Sequence, residues 1–379
     1  MALSLICRSG LTACGKAKPG AVDLLEPIWT GAGHSCQSSA MFPKNTDGAD
    51  LTVSILVLPE TGPMAVYGLY EVMSHVGRFD AGTRRPPVRR LRPRIVARQM
   101  EPFPSAIGVP IAPQETIDTQ ADADLIIICD LELGPTDVPS GRWSQEIAWV
   151  REQLRRGATV CSTCSGSLLL AEAGLLDGKD AASHWTAAGL FRDLYPAVRF
   201  RPERILCESG YDGRLMTSGG ASAWQELVLY LIGRFCGPTE AARIAKLFLI
   251  GDRRDGQLPF AAMAQPRRHE DAIIAGSQIW IADHYAVSNP ATRMVEQSGL
   301  PERTFKRRFK QATGYAPVDY VQAIRIEEAK QILETSDGGI DDVAADVGYE
   351  DPTFFRRLFK RMAGISPAQY RQRFRARYP

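Results

Sequence analysis

The feature that most constrains this chain is an internal repeat with a period of 50 residues in its last third. Identical residues recur in the pairs Phe305/Phe355, Arg307/Arg357, Phe309/Phe359, Lys310/Lys360, Gly314/Gly364, Pro317/Pro367 and Tyr320/Tyr370. In each copy a short helical pattern leads into a turn with Gly299 or Gly348, and a second helical pattern follows. Self-similarity of this kind indicates one supersecondary unit used twice. The order of helix, glycine turn and helix predicts two helix-turn-helix units.

The second helix of each unit, predicted over 301–312 and 352–363, separates apolar from basic residues. Phe305 and Phe309 share one face of the first, and Phe355, Leu358 and Phe359 share one face of the second. The outward-facing residues are then Arg303, Lys306, Arg307 and Lys310 in one helix, and Thr353, Arg357, Lys360 and Arg361 in the other. Arginine can bind a guanine edge through two hydrogen bonds, and lysine neutralises phosphate. These residues are predicted to contact DNA; the alternative is a basic helix face that contacts only solvent.

Between the two units, residues 316–335 form one continuous helical pattern. Twenty residues of helix span about 30 Å, which is close to the roughly 34 Å between successive major-groove faces of a duplex. Charge supports the same interpretation. Residues 301–310 carry five Lys or Arg and one acidic residue, residues 351–379 carry eight and one, and residues 311–350 carry two and nine. A net charge of only +2 for the whole chain therefore conceals two basic segments separated by an acidic one.

The first two-thirds of the chain alternate strand and helix patterns. Strands are predicted over 52–58, 94–100, 123–130 and 158–163, and helices over 64–76, 143–156 and 165–173. The strands are apolar throughout instead of alternating with polar residues, which is typical of a parallel sheet covered on both faces. The fold class predicted is a flavodoxin-like α/β domain with helices on both faces, followed by an all-α double helix-turn-helix domain.

One tight turn in the α/β region carries reactive chemistry. The predicted strand 158–163 runs directly into a helix, with Cys164 at the tip of the turn and Gly166 beside it. A helix amino terminus stabilises negative charge, so the turn predicts a lowered pKa and a nucleophilic thiolate. His184, followed by Trp185, is a candidate partner for the sulfur. Cys161 belongs to the strand, so neither a thioredoxin-like cysteine pair nor a metal site is predicted.

Several motifs in this region resemble the PfpI-type, class I glutamine amidotransferase-like domain, and more narrowly the GlxA-like branch fused to AraC-type regulators. They are the Cys164-Ser-Gly-Ser turn, residues 170–178, Ala182–Trp185, Met216–Gly220 and Gly256–Phe260. The resemblance covers about residues 51–260. It implies a pocket formed by Cys164, Ser165, Gly166, His184, Trp185, Ser218 and Gly219. Enzymes of the superfamily place an acidic residue opposite the cysteine, where this sequence has Ala65. Glu60 and Glu71 are candidate substitutes, and no catalytic residue is assigned.

Residues 271–379 resemble the AraC/XylS DNA-binding domain over its full length, through the repeated string described above. The resemblance places base-reading residues at Arg303, Lys306, Arg307, Thr353 and Arg357. It implies a sequence-specific transcription regulator that binds double-stranded promoter DNA as a homodimer, with RNA polymerase as a further partner. It also implies a small-molecule effector from amino-acid or amine catabolism. Three alternatives stay open: a cysteine-dependent amidohydrolase-like enzyme with an accessory DNA-binding domain, a constitutive DNA binder whose first domain only dimerises, and a regulator in which Cys164 senses oxidation.

Domain boundaries and location follow from composition. Residues 1–49 are predicted to be a disordered tail, 50–250 the sensing and dimerisation domain, 251–272 a linker and 273–379 the DNA-binding domain. Hydrophobic residues make up 45% and charged residues 23% of the chain, which is ordinary for a globular protein. No run approaches the roughly 18 apolar residues of a membrane span, and eight cysteines without framework spacing favour a reducing cytoplasm. No cofactor is predicted. The arginine-rich stretch 83–94 is interpreted as a solvated loop, with a nucleic-acid contact as the alternative.

Overall fold

A computed structural model describes residues 49–78, 89–119, 122–134, 139–251, 255–264, 266–267 and 269–375. The predicted tail lies outside these residues except for Ala49, and so does the part of the arginine-rich stretch before residue 89. Among the described helices, none combines the length and the hydrophobicity needed to cross a membrane.

The α/β region is built on one seven-stranded sheet with two short strand pairs beside it. Its strands are β1 (Leu51–Leu56), β2 (Leu91–Ala97), β3 (Phe103–Pro104), β4 (Pro110–Ile111), β5 (Glu115–Thr116), β6 (Leu125–Ile128), β7 (Thr159–Ser162), β8 (Asp180–Ala181), β9 (Arg199–Phe200), β10 (Leu206–Ser209) and β11 (Leu215–Ser218). The main sheet has the order β10-β11-β7-β6-β1-β2-β5. Its strands are parallel except for β10, which pairs antiparallel with β11 at one edge.

Helices cover both faces of this sheet, which confirms the predicted fold class. The α/β region contains α1 (Pro63–Ser74), α2 (Ser144–Arg156), α3 (Ser167–Glu172), α4 (Ala188–Leu194), α5 (Trp224–Cys236) and α6 (Pro238–Leu247). Side chains of α1, α5 and α6 pack with Leu125 and Ile127 of β6. Those of α2, α3 and α4 pack on the other face with Ile126 and Ile128. Successive residues of a strand point to opposite faces, so a fully apolar strand serves both layers.

Strand β2 differs from its prediction. It covers Leu91–Ala97, three residues earlier than the predicted strand over 94–100, and it contains Pro93. A proline is tolerated there because β5 pairs only with the end of β2, from Val96, so Pro93 lies where β2 is an edge strand. The loop predicted for the arginine-rich stretch is therefore wrong for residues 91–94. In this strand Arg92 forms an ion pair with Asp50 at 2.5 Å.

The carboxyl-terminal region is helical and contains the two predicted helix-turn-helix units. Its helices are α7 (Ala272–His284), α8 (Pro290–Ser298), α9 (Glu302–Thr313), α10 (Pro317–Thr335), α11 (Ile340–Asp346), α12 (Pro352–Ala363) and α13 (Pro367–Phe374). The first unit consists of α8 and α9, and the second of α11 and α12. The glycines of the two turns have positive φ angles, 65° at Gly299 and 86° at Gly348. These values favour glycine because it has no side chain to clash.

Each unit has its own apolar core around the repeated phenylalanines. Phe305 and Phe309 are fully buried in one core, and Phe355 and Phe359 in the other. Helix α10 contributes to both cores, so it joins the two units directly. The backbones also approach closely at Gly348, where an added side-chain carbon would lie 2.4 Å from the carbonyl oxygen of Ala286.

Candidate ligand pocket and DNA-binding surface

The turn from β7 into α3 has the strained geometry expected of a nucleophile position. Cys164 has a φ of +50°, a conformation that costs a non-glycine residue free energy. Two hydroxyls hold the turn through the Cys164 carbonyl oxygen: Ser167 Oγ donates at 3.0 Å and Ser183 Oγ at 2.9 Å. A side-chain carbon at Gly166 would lie 2.4 Å from the carbonyl oxygen of Cys129. Glycine is therefore required for the turn to pack against the end of β6.

The lowered pKa predicted for the Cys164 thiol is wrong. Cys164 is only 8% exposed, and burial raises the pKa of its thiol to about 11, helped by the negative charge of Asp130. The expected effect of the helix amino terminus is outweighed because α3 has only six residues and the site is buried. At neutral pH the group is a thiol, which is a poor nucleophile.

Asp130 is the acidic residue beside the cysteine, and the sequence did not indicate it. It lies two residues after the end of β6, between two elements of the site. On one side a side-chain carbon at Gly62 would be 2.2 Å from its Oδ2. On the other, the next residue, Leu131, donates its N–H to Ser165 Oγ at 2.9 Å. Burial raises the pKa of the Asp130 carboxyl to about 6. The available signal was topological, since parallel neighbours β6 and β7 end at the same edge of the sheet.

Glu60 and Glu71, which the sequence offered as substitutes for the acidic residue opposite the cysteine, lie in other surroundings. Glu60 accepts a hydrogen bond from Arg142 at 3.2 Å, and Glu71 is exposed on α1. Ala65 lies on α1, and its side chain is buried in the core.

Alkylation of Cys164 should follow its raised pKa. We expect iodoacetamide to modify Cys164 slowly at pH 7.5, with a rate that climbs towards a midpoint near pH 11. In Asp130→Asn the midpoint should fall because one negative charge is removed, whereas Glu71→Gln should match the parent. The rate at the Cys164 peptide can be followed by mass spectrometry. A midpoint at or below pH 9, or no difference between the two variants, would contradict this electrostatic account.

His184 follows Cys164 by 20 residues in the sequence, but in the structure it does not form the expected pair with the cysteine. Its Nδ1 accepts the Thr186 N–H at 3.2 Å and lies 2.7 Å from Thr186 Oγ1. Burial lowers the pKa of the imidazole, which favours its neutral form. In the part of the chain that the structure describes, no hydrogen bond connects this ring to the Cys164 thiol. The imidazole instead packs on Trp185, with 5.2 Å between ring centroids.

Gln257 holds together the separate segments of the pocket. It is 3% exposed, and its amide Nε2 donates to the carbonyl oxygens of Ser183 at 2.9 Å and Arg204 at 2.8 Å. Its Oε1 accepts the Gly220 N–H at 2.7 Å. A side-chain carbon at Gly219 would lie 2.3 Å from the amide nitrogen, so the glycine makes room for it. One buried amide thus joins the chain segment just before His184, at Ser183, to the segment just after Ser218, at Gly220. The sequence had indicated Gln257 only as part of a motif.

The segment that follows Gln257 contacts the helical region, and we call residues 257–263 the strap. Phe260 packs edge-on against Phe374 of α13, with 5.2 Å between centroids. The Ala261 carbonyl accepts a hydrogen bond from Lys330 Nζ at 2.6 Å, and the Met263 N–H donates to Glu327 at 3.0 Å. A cavity of about 380 Å³ lies beside the strap and is lined on one side by Trp185. The strap therefore connects the pocket with α10 and α13.

The eight residues predicted to contact DNA are all exposed on the two recognition helices, four on α9 and four on α12. Lys306 forms an ion pair with Glu302 of its own helix. Among the described residues, Arg307 and Arg357 form no ion pair and extend into solvent. Their neighbours Arg308 and Arg356 are used differently, because they pair with Asp271 and Asp341. The two equivalent arginines, Arg307 and Arg357, are thus available to contact a duplex.

Two protein families match this chain in the order of its domains. Residues 55–233 match the DJ-1/PfpI family, and residues 294–373 match a helix-turn-helix domain family. Among similar proteins, CdhR of Pseudomonas aeruginosa is 29% identical over 59% of this chain and 66% of CdhR. GbdR of the same species is 26% identical over 70% of each protein. GlxA of Rhizobium meliloti is 27% identical over 59% of this chain and 68% of GlxA. All three are named HTH-type transcriptional regulators.

The α/β pocket domain and the paired helix-turn-helix units define a two-domain protein of the regulator class. The chain combines a DJ-1/PfpI-type domain with an AraC-type helix-turn-helix domain.

Proposed function

We propose that the protein is a cytoplasmic, homodimeric transcription regulator that binds specific promoter sequences through α9 and α12. The observation that carries this proposal is the pair of exposed basic helices attached to one 19-residue helix, α10. Such a helix is about 28 Å long, which suits two helices entering successive major-groove faces of a duplex. Arg307 and Arg357 occupy equivalent positions in the two units, and each is available for a bidentate contact with guanine.

Removing either arginine should relax the sequence preference at one half-site. We expect Arg307→Ala and Arg357→Ala each to lose about 1–3 kcal/mol of discrimination at the base pair that the arginine contacts. Binding to unrelated DNA should weaken less, since phosphate contacts persist. The measurement is a binding selection from a random duplex library, followed by titration of the selected sites. Arg293→Ala, an exposed position on α8, is the matched control. If both variants retain the parent's preference at every position, the recognition helices are assigned wrongly.

We further propose that the pocket around Cys164 and His184 binds a small metabolite, and that this ligand alters DNA binding. Three observations support a binding role over catalysis: the raised pKa of the thiol, the absence of a hydrogen bond from His184 to it among the described residues, and the strap leading to α10. The relatives are named transcriptional regulators, which supports the same choice. A ligand from amino-acid or amine catabolism is part of this proposal. RNA polymerase is the proposed partner at the promoter.

A further inference from the structure

Helix α12 exposes one aromatic side chain on a surface that is otherwise polar and basic. Phe354 is 40% exposed, whereas its neighbour Phe355 is fully buried in the core. Phe354 precedes Arg357 by three positions, so the two side chains are adjacent on the helix surface. The equivalent residue of the first unit, 50 positions earlier, is Thr304. The two recognition helices therefore differ at this position, because one carries an aromatic ring and the other a small hydroxyl side chain.

Neighbouring side chains of the second unit and of α10 hold the Phe354 ring in place. It packs against Tyr349, with 5.8 Å between ring centroids, and Tyr349 is itself only 8% exposed. On Tyr349 lies the guanidinium of Arg325, 5.0 Å from the ring centroid. Arg325 is in turn fixed by hydrogen bonds to three carbonyl oxygens. An aromatic side chain held this way loses little conformational freedom when it makes a further contact, which favours its use in recognition.

A duplex offers one apolar group on the major-groove edge of its bases, the C5-methyl group of thymine. We propose that Phe354 packs against a thymine methyl next to the base pair contacted by Arg357. The half-site bound by α12 then prefers thymine at this position, and the half-site bound by α9 has no such preference from Thr304. This inference rests on the proposed DNA-binding function and adds a specificity-determining residue to it.

Uracil substitution tests the contact directly, because uracil differs from thymine only by the missing methyl group. Each thymine of a selected duplex is replaced by uracil in turn, and the binding constant is measured for the full-length protein and for Phe354→Ala. We expect the parent to lose about three- to fivefold in affinity at one or two thymines of the α12 half-site, as removal of one buried methyl implies. Phe354→Ala should bind more weakly than the parent and show no difference between thymine and uracil there.

Controls separate this contact from general effects. Ile279→Ala removes an equally apolar side chain, 72% exposed on α7, and should keep the parent's response to uracil. Phe354→Leu should keep part of the difference in affinity between the thymine duplex and the uracil duplex. Circular dichroism checks that the variants fold, which is expected because Phe354 lies outside the core. If Phe354→Ala discriminates thymine from uracil as the parent does, this inference is wrong while sequence-specific binding stands. If the parent binds no duplex above background, the proposed function fails together with the inference.

Discussion

Replacing Arg325 with alanine is expected to lower the free energy of unfolding of the helical region by about 3–5 kcal/mol. Arg325 is 8% exposed, and its guanidinium donates to the carbonyl oxygens of Tyr285 at 2.7 Å, Gly348 at 2.8 Å and Val287 at 2.9 Å. Tyr285 and Val287 precede α8 of the first unit, and Gly348 forms the turn of the second. Alanine would leave three acceptors without their donor and remove the hydrogen bonds by which Arg325 links the two units.

Differential scanning calorimetry of the full chain measures this effect. Arg325→Lys keeps the charge, but a single ammonium does not reproduce the planar fork, so an intermediate loss is expected. Arg293→Ala should unfold as the parent does. Affinity for a duplex with both half-sites should fall more than affinity for either half-site alone, because the units no longer hold one orientation. An Arg325→Ala variant within about 0.5 kcal/mol of the parent, the usual scale of a surface change, would show that these hydrogen bonds contribute little.

Replacing Gln257 with alanine is expected to destabilise the α/β region by about 2–4 kcal/mol and to separate ligand binding from DNA binding. The buried amide is the hydrogen-bond partner of Ser183, Arg204 and Gly220, and a methyl group satisfies none of them. The strap would lose the side-chain hydrogen bonds that attach it to the pocket, while Phe260 still packs on α13. Phe260→Ala is the converse change, since it keeps the amide and loses the packing on Phe374.

Both variants can be compared with one ligand. Amines and amino acids are first screened by the shift in melting temperature of the parent, and a responding compound is then tested for its effect on operator affinity. We expect the parent's operator affinity to change with the compound. In Gln257→Ala and Phe260→Ala it should stay constant although each protein still binds DNA. If the compound alters DNA affinity equally in all three proteins, the signal does not pass through the strap.

The sequence predicted those parts of the protein that depend on local pattern. The recognition helices could be located because Phe305 and Phe355 recur in a repeat, and the buried strands because they are uniformly apolar. Asp130, Gln257 and Arg325 were not predicted to act as they do. The partners of Gln257 lie 37–74 residues away along the chain, and those of Arg325 lie 23–40 residues away. Their polar groups carry no local periodicity, so only the fold shows what they contact.

The error at Cys164 has a different origin. A tight turn before a helix was a correct prediction, and the lowered pKa was an inference from the helix amino terminus alone. Burial and the charge of Asp130 act in the opposite direction and are larger. Such a balance depends on the depth of the site and on a neighbouring strand, which are properties of the tertiary structure.

The contact of Gly348 with the Ala286 backbone has a consequence for the evolution of the promoters that we propose as targets of this protein. The backbones approach closely there, α10 contributes to both cores, and Arg325 donates to carbonyl oxygens on both sides of the joint, so the separation of the two half-sites is set by the protein. One inserted base pair between them rotates the second half-site by about 34°, given 10–10.5 base pairs per turn. Promoters can therefore exchange bases within a half-site at moderate loss, whereas an insertion or deletion between the half-sites removes one unit from its groove. Natural target sites should vary in base sequence within each half-site and keep a constant spacing between the two half-sites.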